Sequence, residues 1–294
     1  MLVTKATECR NEKHRAQWAM TLRTYAAPLW DLPVEEVDTA AVLSVLQPLW
    51  QTKRETASRL RGRIEAALDA ARANPEKPTQ PGGTGTLMRS WRRNKSCIST
   101  SRLSYANVPE FIGRLRSRGS TAALALEFAI LTAARSGEAL GARWDEIDLE
   151  GKAWVISAAR MKAAREHRVP LSTRAVEILD ALAVVKEGEF VFLGHRRGRP
   201  LSDRSMRAVM HRMKIDGVTV HGMRSAFRDW CGDQTNFPRE IAEAALAHSV
   251  GSDVERAYRR SDALEKRRAL MQSWADYCNG RRGDNVVHLT RQAA

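Results

Sequence analysis

The sequence predicts a mainly α protein in two parts: a small helical domain, then a larger α+β domain with a small antiparallel sheet. Three observations carry that reading. Apolar residues recur at helical spacing through most of the chain. A stretch near residue 80 loses this period and fills with Pro, Gly and Ser/Thr. Two short segments that alternate or contain β-branched residues, "KAWVIS" and "HRVPLS", flank a polar connection in the second half. The 294 residues suffice for one large domain or two ordinary ones. The boundaries expected are 1–75 for the helical domain, 76–104 for the linker, 105–280 for the larger domain and 281–294 for a tail.

The first domain reads as three helices. "EKHRAQWAMTLRTYAA" places Trp18, Leu22 and Tyr25 on one face. "DTAAVLSVLQPLW" opens at a plausible N-cap, Asp38, and is expected to end near Pro48. "KRETASRLRGRIEAALDAARA" repeats apolar residues at Ala57, Leu60, Ile64, Ala67/Leu68 and Ala71 above a basic opposite face. In the larger domain, helical patterns cover about 107–118 and 121–141. "RAVEILDALA" is helical, "EFVFLG" is strand-like, and "SDRSMRAVMHRMK" returns to helix. "HGMRSAFRDWCGDQ", "PREIAEAALAH", "DVERAYRR" and "DALEKRRALMQSWADYC" continue as helices.

Composition narrows the function. Lys plus Arg total 48 against 34 Asp plus Glu, a formal charge of +14. A chain this basic suits a polyanion, nucleic acid above all. The basic run His195 to Lys214 reads as a phosphate-contacting surface, or else as a solvated charged face. The four cysteines, Cys9, Cys97, Cys231 and Cys278, are scattered and lack zinc-site spacing, which fits a reducing cytoplasm. "TAALALEFAILTAA" is too short to span a bilayer and carries Glu127, so it reads as a core helix and no membrane is expected. Neither a phosphate-binding G-x-x-x-x-G-K-[ST] loop nor an H-E-x-x-H zinc motif is present, which disfavours an ATPase or a zinc hydrolase.

Several short motifs carry possible chemistry, and each also has a bland reading. In "TAARSGEAL", Arg135 follows an apolar helix, with Glu138 one turn on to orient its guanidinium fork; the pair could equally be structural. Lys162 falls where a hairpin turn is expected, a common place for a solvated lysine. His221 and Arg224 in "HGMR" share a helix face, as many basic residues do. His248 follows an Ala-rich helix and could be a core or capping histidine. Tyr258 lies among Arg256, Arg259 and Arg260 in "VERAYRR", where an amphipathic helix could simply turn its Tyr inward.

In combination, these residues resemble the tyrosine recombinase family, the phage integrases. An Arg, a hairpin Lys, H-x-x-R, a His and a Tyr ten residues later follow in the family's order. "HGMRSAFRDW" and "LAHSVGSDVERAYRRSDALEKRRALMQSWADYC" look like the prophage-type integrases of bacteria, and the likeness covers almost the whole chain. It implies a site-specific recombinase: a core-site DNA-binding domain and a catalytic domain that clamp double-stranded DNA, working as a homo-tetramer with accessory bending or directionality factors in the nucleoid. The rival readings are a type IB topoisomerase-like enzyme and a prophage remnant that binds DNA without efficient recombination.

The resemblance also implies the catalytic set Arg135, Lys162, His221, Arg224, His248 and Tyr258, with no metal and no cofactor. Tyr258 is the nucleophile, a phenol whose ordinary pKa of about 10 needs help from neighbours. Arg135 and Arg224 hold the non-bridging oxygens, His221 handles the tyrosine proton, Lys162 protonates the departing 5′ oxygen, and His248 donates to the phosphate. The family often has Gly just before its first arginine motif; Ala134 stands there and is expected to be tolerated. The chain starts almost directly on the core-binding helices, so the resemblance implies that the arm-binding domain is missing. The segment "QPGGTGTLMRSWRRNKSCISTSR" lacks the family's pattern, as a local frame shift restored near Leu103 or a divergent linker would leave it.

Overall fold

Three helices build the first unit: α1 (Glu12–Tyr25), α2 (Thr39–Thr52) and α3 (Arg54–Arg72). The computed structural model describes residues 12–72, 103–194, 196, 198–215, 217–248 and 263–281. Asp38 caps α2 as expected, its carboxylate accepting from the Ala41 amide at 2.7 Å. Leu22, Val42, Val45, Leu46, Leu60, Ile64 and Leu68 form the core, with Trp18 and Tyr25 packed against it. Each such aliphatic side chain contributes about 1.5–3 kcal/mol on burial.

Two details depart from the sequence reading. Helix α2 does not end near Pro48 but continues to Thr52. Proline removes one amide bond of the ladder. The last turn is nonetheless closed by Thr52 Oγ1 donating to the Pro48 carbonyl at 3.1 Å and by the Lys53 amide donating to Leu49 at 2.7 Å. Leu49 packs on the core, so tertiary burial outweighs the missing bond. Arg63, expected among solvated cations, is buried: it donates to the Gln17 carbonyl at 2.8 Å and lies 5.6 Å from the Trp18 ring centre.

The chain divides into two compact units, residues 1–96 and 97–294, each with its own apolar core. The second holds α4 (Val108–Arg116), α5 (Thr121–Leu131), α6 (Ser136–Leu140), β1 (Ile147–Asp148), β2 (Ala153–Ile156), β3 (His167–Pro170) and α7 (Thr173–Ala183). It continues with α8 (Ser205–Arg212), α9 (Val220–Gln234), α10 (Arg239–Ala245) and α11 (Leu264–Cys278).

Helix α5 is buried on every side and carries one acid, Glu127, at 1% exposure. Arg116 of α4 and Arg174 of α7 reach it at 2.7 and 2.9 Å. Two guanidinium groups thus offset the desolvation of one carboxylate and tie three helices together. The expected continuous helix over 121–141 is broken: Ala133 takes a left-handed φ of 49°, and a new short helix starts after Arg135.

The sheet is antiparallel in the order β1-β2-β3, with Ile156 opposite His167 at the end where the connection leaves. "EFVFLG" adds no strand. Its first half bonds one segment and its second half another: Trp144 donates to Glu189 and Val191 to Ala142, whereas Leu201 donates to Phe192 and Gly194 to Arg199. It therefore laces loops together, with isolated bridges at Arg143–Phe190 and Leu193–Pro200. On the other side of the core, Phe227, Trp230, Trp274 and Tyr277 pack as one aromatic group. Trp274 Nε1 donates to the Ile130 carbonyl at 2.9 Å, fixing α11 on the end of α5. Cys231 and Cys278 are buried thiols whose pKa burial pushes up; Cys9 and Cys97 lie outside the described residues. Among the described residues no helix is long and apolar enough to cross a membrane. The expected "DVERAYRR" helix and nearly all of the 76–104 linker lie outside the described residues.

Candidate active site

Arg135 sits at the joint between α5 and α6. The Ala133 turn ends one helix, and Arg135 becomes the N-cap of the next. Glu138, buried in the first turn of α6, uses both oxygens on it: Oε2 accepts from the Arg135 amide at 2.9 Å, and Oε1 from Nη1 at 2.7 Å. One carboxylate therefore fixes both backbone and side chain, as in a capping box. The side chain stays 27% exposed, so its remaining donors can meet a ligand.

Arg224 is held differently. It lies in the second turn of α9, which is capped by Thr219 Oγ1 accepting from the Gly222 amide at 3.0 Å. The residue is 6% exposed. Its Nη1 donates to the Ala133 carbonyl and its Nη2 to the Leu246 carbonyl, the latter at 2.6 Å. Burial and then the nearby Arg135 push its pKa down to about 10, so the group remains charged at neutral pH.

His248 follows α10 through a Schellman turn. Ala247 takes φ 50°, its amide bonds Ala244 at 3.1 Å, and the His248 amide bonds the Glu243 carbonyl at 3.0 Å. His248 Nε2 then lies 3.4 Å from Arg224 Nη2, and Nδ1 lies 2.7 Å from Glu243 Oε2. Glu243 also accepts from Arg228 Nε at 2.6 Å. Burial alone would raise the Glu243 pKa, but the hydrogen bonds from Arg228 and His248 prevail and lower it.

His221 is exposed, one turn before Arg224. Its pKa is lowered by partial burial and then by the positive charge of Arg224, Arg135 and His248. These are the signs expected of a neutral imidazole that can accept a proton. The structure thus brings Arg135, Arg224, His221 and His248 together. Lys162 is exposed in the connection between β2 and β3 and takes no part in the hydrogen bonds around Arg224. Its neighbours anchor that connection: Met161 is buried, and Arg160 bonds Glu146 and the Glu138 carbonyl. Tyr258 lies outside the described residues.

Comparison with known proteins gives the family. Residues 2–81 match the phage integrase central domain, and residues 102–265 match the phage integrase family. The chain belongs to the phage integrase family. It is 32% identical over 287 residues to the prophage integrase IntA of Escherichia coli K12, covering 93% of this chain and 67% of that protein. It is 29% identical over 301 residues to the integrase of Enterobacteria phage P4, again covering 67% of the relative. In fold it is similar to a lambda integrase (75–356) dimer bound to a core site, with a TM-score of 0.67, 21% identity and coverage of 85% of this chain and 92% of that one. A lambda integrase tetramer bound to a Holliday junction gives 0.68, with 86% of this chain and 76% of that one covered. This integrase is thus a tyrosine recombinase, a DNA breaking and rejoining enzyme whose function is site-specific recombination.

Three residues of this integrase's site were not singled out from sequence. Glu243 pairs with a histidine five positions later, a spacing that no helical face provides. Arg160 lies in the polar connection between the strands, where sequence gives no sign of its bonds to Glu146 and the Glu138 carbonyl. His167, at the start of β3, has its pKa lowered to about 4 by burial and by Arg267, against the opposing pull of Glu138 and of a backbone hydrogen bond to Ala245. The left-handed backbone ahead of Arg135 falls at Ala133, and Ala134 is not among the positive-φ residues. In the basic run, α8 turns Met206, Val209 and Met210 inward and leaves Arg207, His211 and Arg212 exposed. His195 and Arg197 lie outside the described residues.

Proposed function

We propose that the four gathered side chains form the phosphate-binding half of a strand-transfer site, and that Tyr258 and Lys162 complete it. The carrying observation is the setting of Arg224. A buried guanidinium, held by two carbonyls and adjoining a histidine, is preorganised for a phosphodiester oxygen. Arg135 takes the other non-bridging oxygen. The Tyr258 oxygen attacks phosphorus while its proton passes to neutral His221. The bond from phosphorus to the 5′ oxygen breaks, and Lys162 gives that oxygen a proton. The product is a 3′-phosphotyrosine that keeps the bond energy for religation.

The helical unit, residues 1–75, is read as the core-site DNA-binding domain, and residues 105–280 as the catalytic domain. Double-stranded DNA is the partner, and a homo-tetramer the working assembly. Both rest on the relatives that resemble the chain in fold, one bound to a core site and one a tetramer on a Holliday junction. Accessory bending or directionality factors and a place on the nucleoid complete the reading. The exposed face of α8 would contact phosphates: Arg207→Ala should weaken DNA binding and reduce its salt slope by about 1.

A nicked suicide duplex tests the chemistry. The wild-type chain should form a covalent protein–DNA adduct, and Tyr258→Phe should bind but form none. Adduct from the Phe variant would sink the assignment. Holliday junctions formed from paired sites would separate a recombinase from a topoisomerase-like enzyme.

A further inference from the structure

Glu243 lies outside the six-residue set, yet it is placed to govern one member of it. The Schellman turn folds His248 back over the residue five positions earlier. The same geometry that gives the His248 amide to the Glu243 carbonyl also brings the ring to the Glu243 side chain, 2.7 Å from Nδ1 to Oε2. The two carboxylate oxygens have separate duties. Oε1 accepts from Arg228 Nε at 2.6 Å, with Arg239 farther off at 3.8 Å, and Oε2 is left for the histidine. An ionised carboxylate only accepts, so Nδ1 must be the donor. The ring therefore turns Nε2 away from Glu243 and toward Arg224 Nη2, 3.4 Å off.

We propose that Glu243 is a positioning residue for His248, holding Nδ1 so that Nε2 faces the phosphate site beside Arg224. This rests on the reading of Arg224 and His248 as phosphate ligands. For Nε2 to donate to a phosphate oxygen the ring takes up a second proton from solvent as DNA binds, and Glu243 supplies the counter-charge. Through Arg228 the same carboxylate also ties α10 to α9, the helix that carries His221 and Arg224. One acid thus sets the distance between the two segments and the rotation of the ring.

The test is single-turnover cleavage of a nicked core-site duplex, with DNA binding measured separately on the same variants. Glu243→Ala should slow cleavage about tenfold with binding changed less than twofold. Glu243→Gln, which keeps a hydrogen-bonding partner at Nδ1, should recover most of the rate. In a His248→Ala background, Glu243→Ala should cost nothing further, because its effect passes through the ring. Imidazole ¹⁵N spectra of the free protein should show His248 protonated at Nδ1, and lose that signature in Glu243→Ala. An undiminished Glu243→Ala loss in the His248→Ala background, or equal losses of binding and cleavage, would overturn the proposal and leave Glu243 as a strut between helices. A Glu243→Ala rate equal to wild type overturns the role of Glu243 alone. Absence of adduct from the wild type instead overturns the strand-cleavage reading, and this role with it.

Discussion

The end of α5 and the end of α10 are built alike. Each turns through a left-handed alanine, Ala133 at φ 49° and Ala247 at φ 50°, and each then presents a side chain of the cluster, Arg135 or His248. Arg224 grips both, taking the Ala133 carbonyl on one side and the Leu246 carbonyl on the other. They differ in where the acid stands. At the first corner Glu138 follows its arginine by three residues, inside the next helix. At the second, Glu243 precedes its histidine by five, inside the helix just finished. The first arrangement needs only a helix start. The second exists only because the chain reverses, so it depends on the left-handed turn holding.

Arg224→Lys attacks both corners at once and carries the largest expected effect. Lysine keeps the charge but cannot reach two carbonyls and a phosphate in one plane. Cleavage should fall about 10²–10³-fold, the scale of losing one preorganised donor, while DNA binding changes by a few-fold. Equal losses in cleavage and binding would mean that Arg224 only tethers phosphate and that the corners hold without it.

His221 senses both corners, since Arg135 from the first and His248 from the second lower its pKa. A base must be neutral to act. Cleavage should therefore stay level as pH falls to the ordinary histidine value of about 6.5 and drop only below it. His221→Gln should be about 10²-fold slower and lack that acid limb. A wild-type limb above pH 6.5 would contradict the cationic surroundings.

Legibility from sequence follows the same division. Arg135 and Glu138 were readable because a spacing of three is local. The Asp38 cap, the α3 stripe and the two long strands were readable for the same reason: their partners lie within one period or one turn. The break at Ala133 was not readable, since alanine favours helix and the groups that bond the carbonyls there, Arg224 on Ala133 and Trp274 on Ile130, come from distant elements. Nor was "EFVFLG", whose β-like residues divide their hydrogen bonds between two loops. Glu243 and His167 stayed hidden because their partners come from a reversed chain or from a different element. Tyr258, read from its place in the family's order, falls outside the described residues.

His167 tests whether the corners are coupled through the sheet. Its pKa feels Glu138 of the first and the backbone of Ala245 of the second, both opposing the fall that burial and Arg267 cause. Its pKa, about 4 when folded, is below the value of 6.5 it has when free. As pH falls, the unfolded chain takes up the proton first, so stability is full above about 6.5 and drains away down to about 4. The loss should be about 3 kcal/mol at 1.36 kcal/mol per pH unit. Urea unfolding at pH 7 and at pH 4.5 should show most of it, and His167→Gln should flatten the difference. An identical pH slope in the variant would place the ring in water and uncouple the corners.

The smallest effect separates the two alanines themselves. A left-handed residue with a Cβ costs about 1–2 kcal/mol. Glycine removes that strain but gives back about 0.5–1 kcal/mol in chain entropy. The remaining difference is the methyl group. Ala133 is buried, at 1% exposure, and losing its methyl forfeits about 0.8 kcal/mol of burial. Ala247 is only partly buried and forfeits less. Ala247→Gly should therefore raise the melting temperature by about 1–2 °C, whereas Ala133→Gly should leave it nearly unchanged. Calorimetry on the two variants reads this directly. If both fall by the same amount, the left-handed turns are not strained and the second corner does not depend on backbone geometry. If Ala247→Gly alone gains stability and cleavage also changes, the rigidity of that turn, and not only the Glu243 contact, sets where His248 stands.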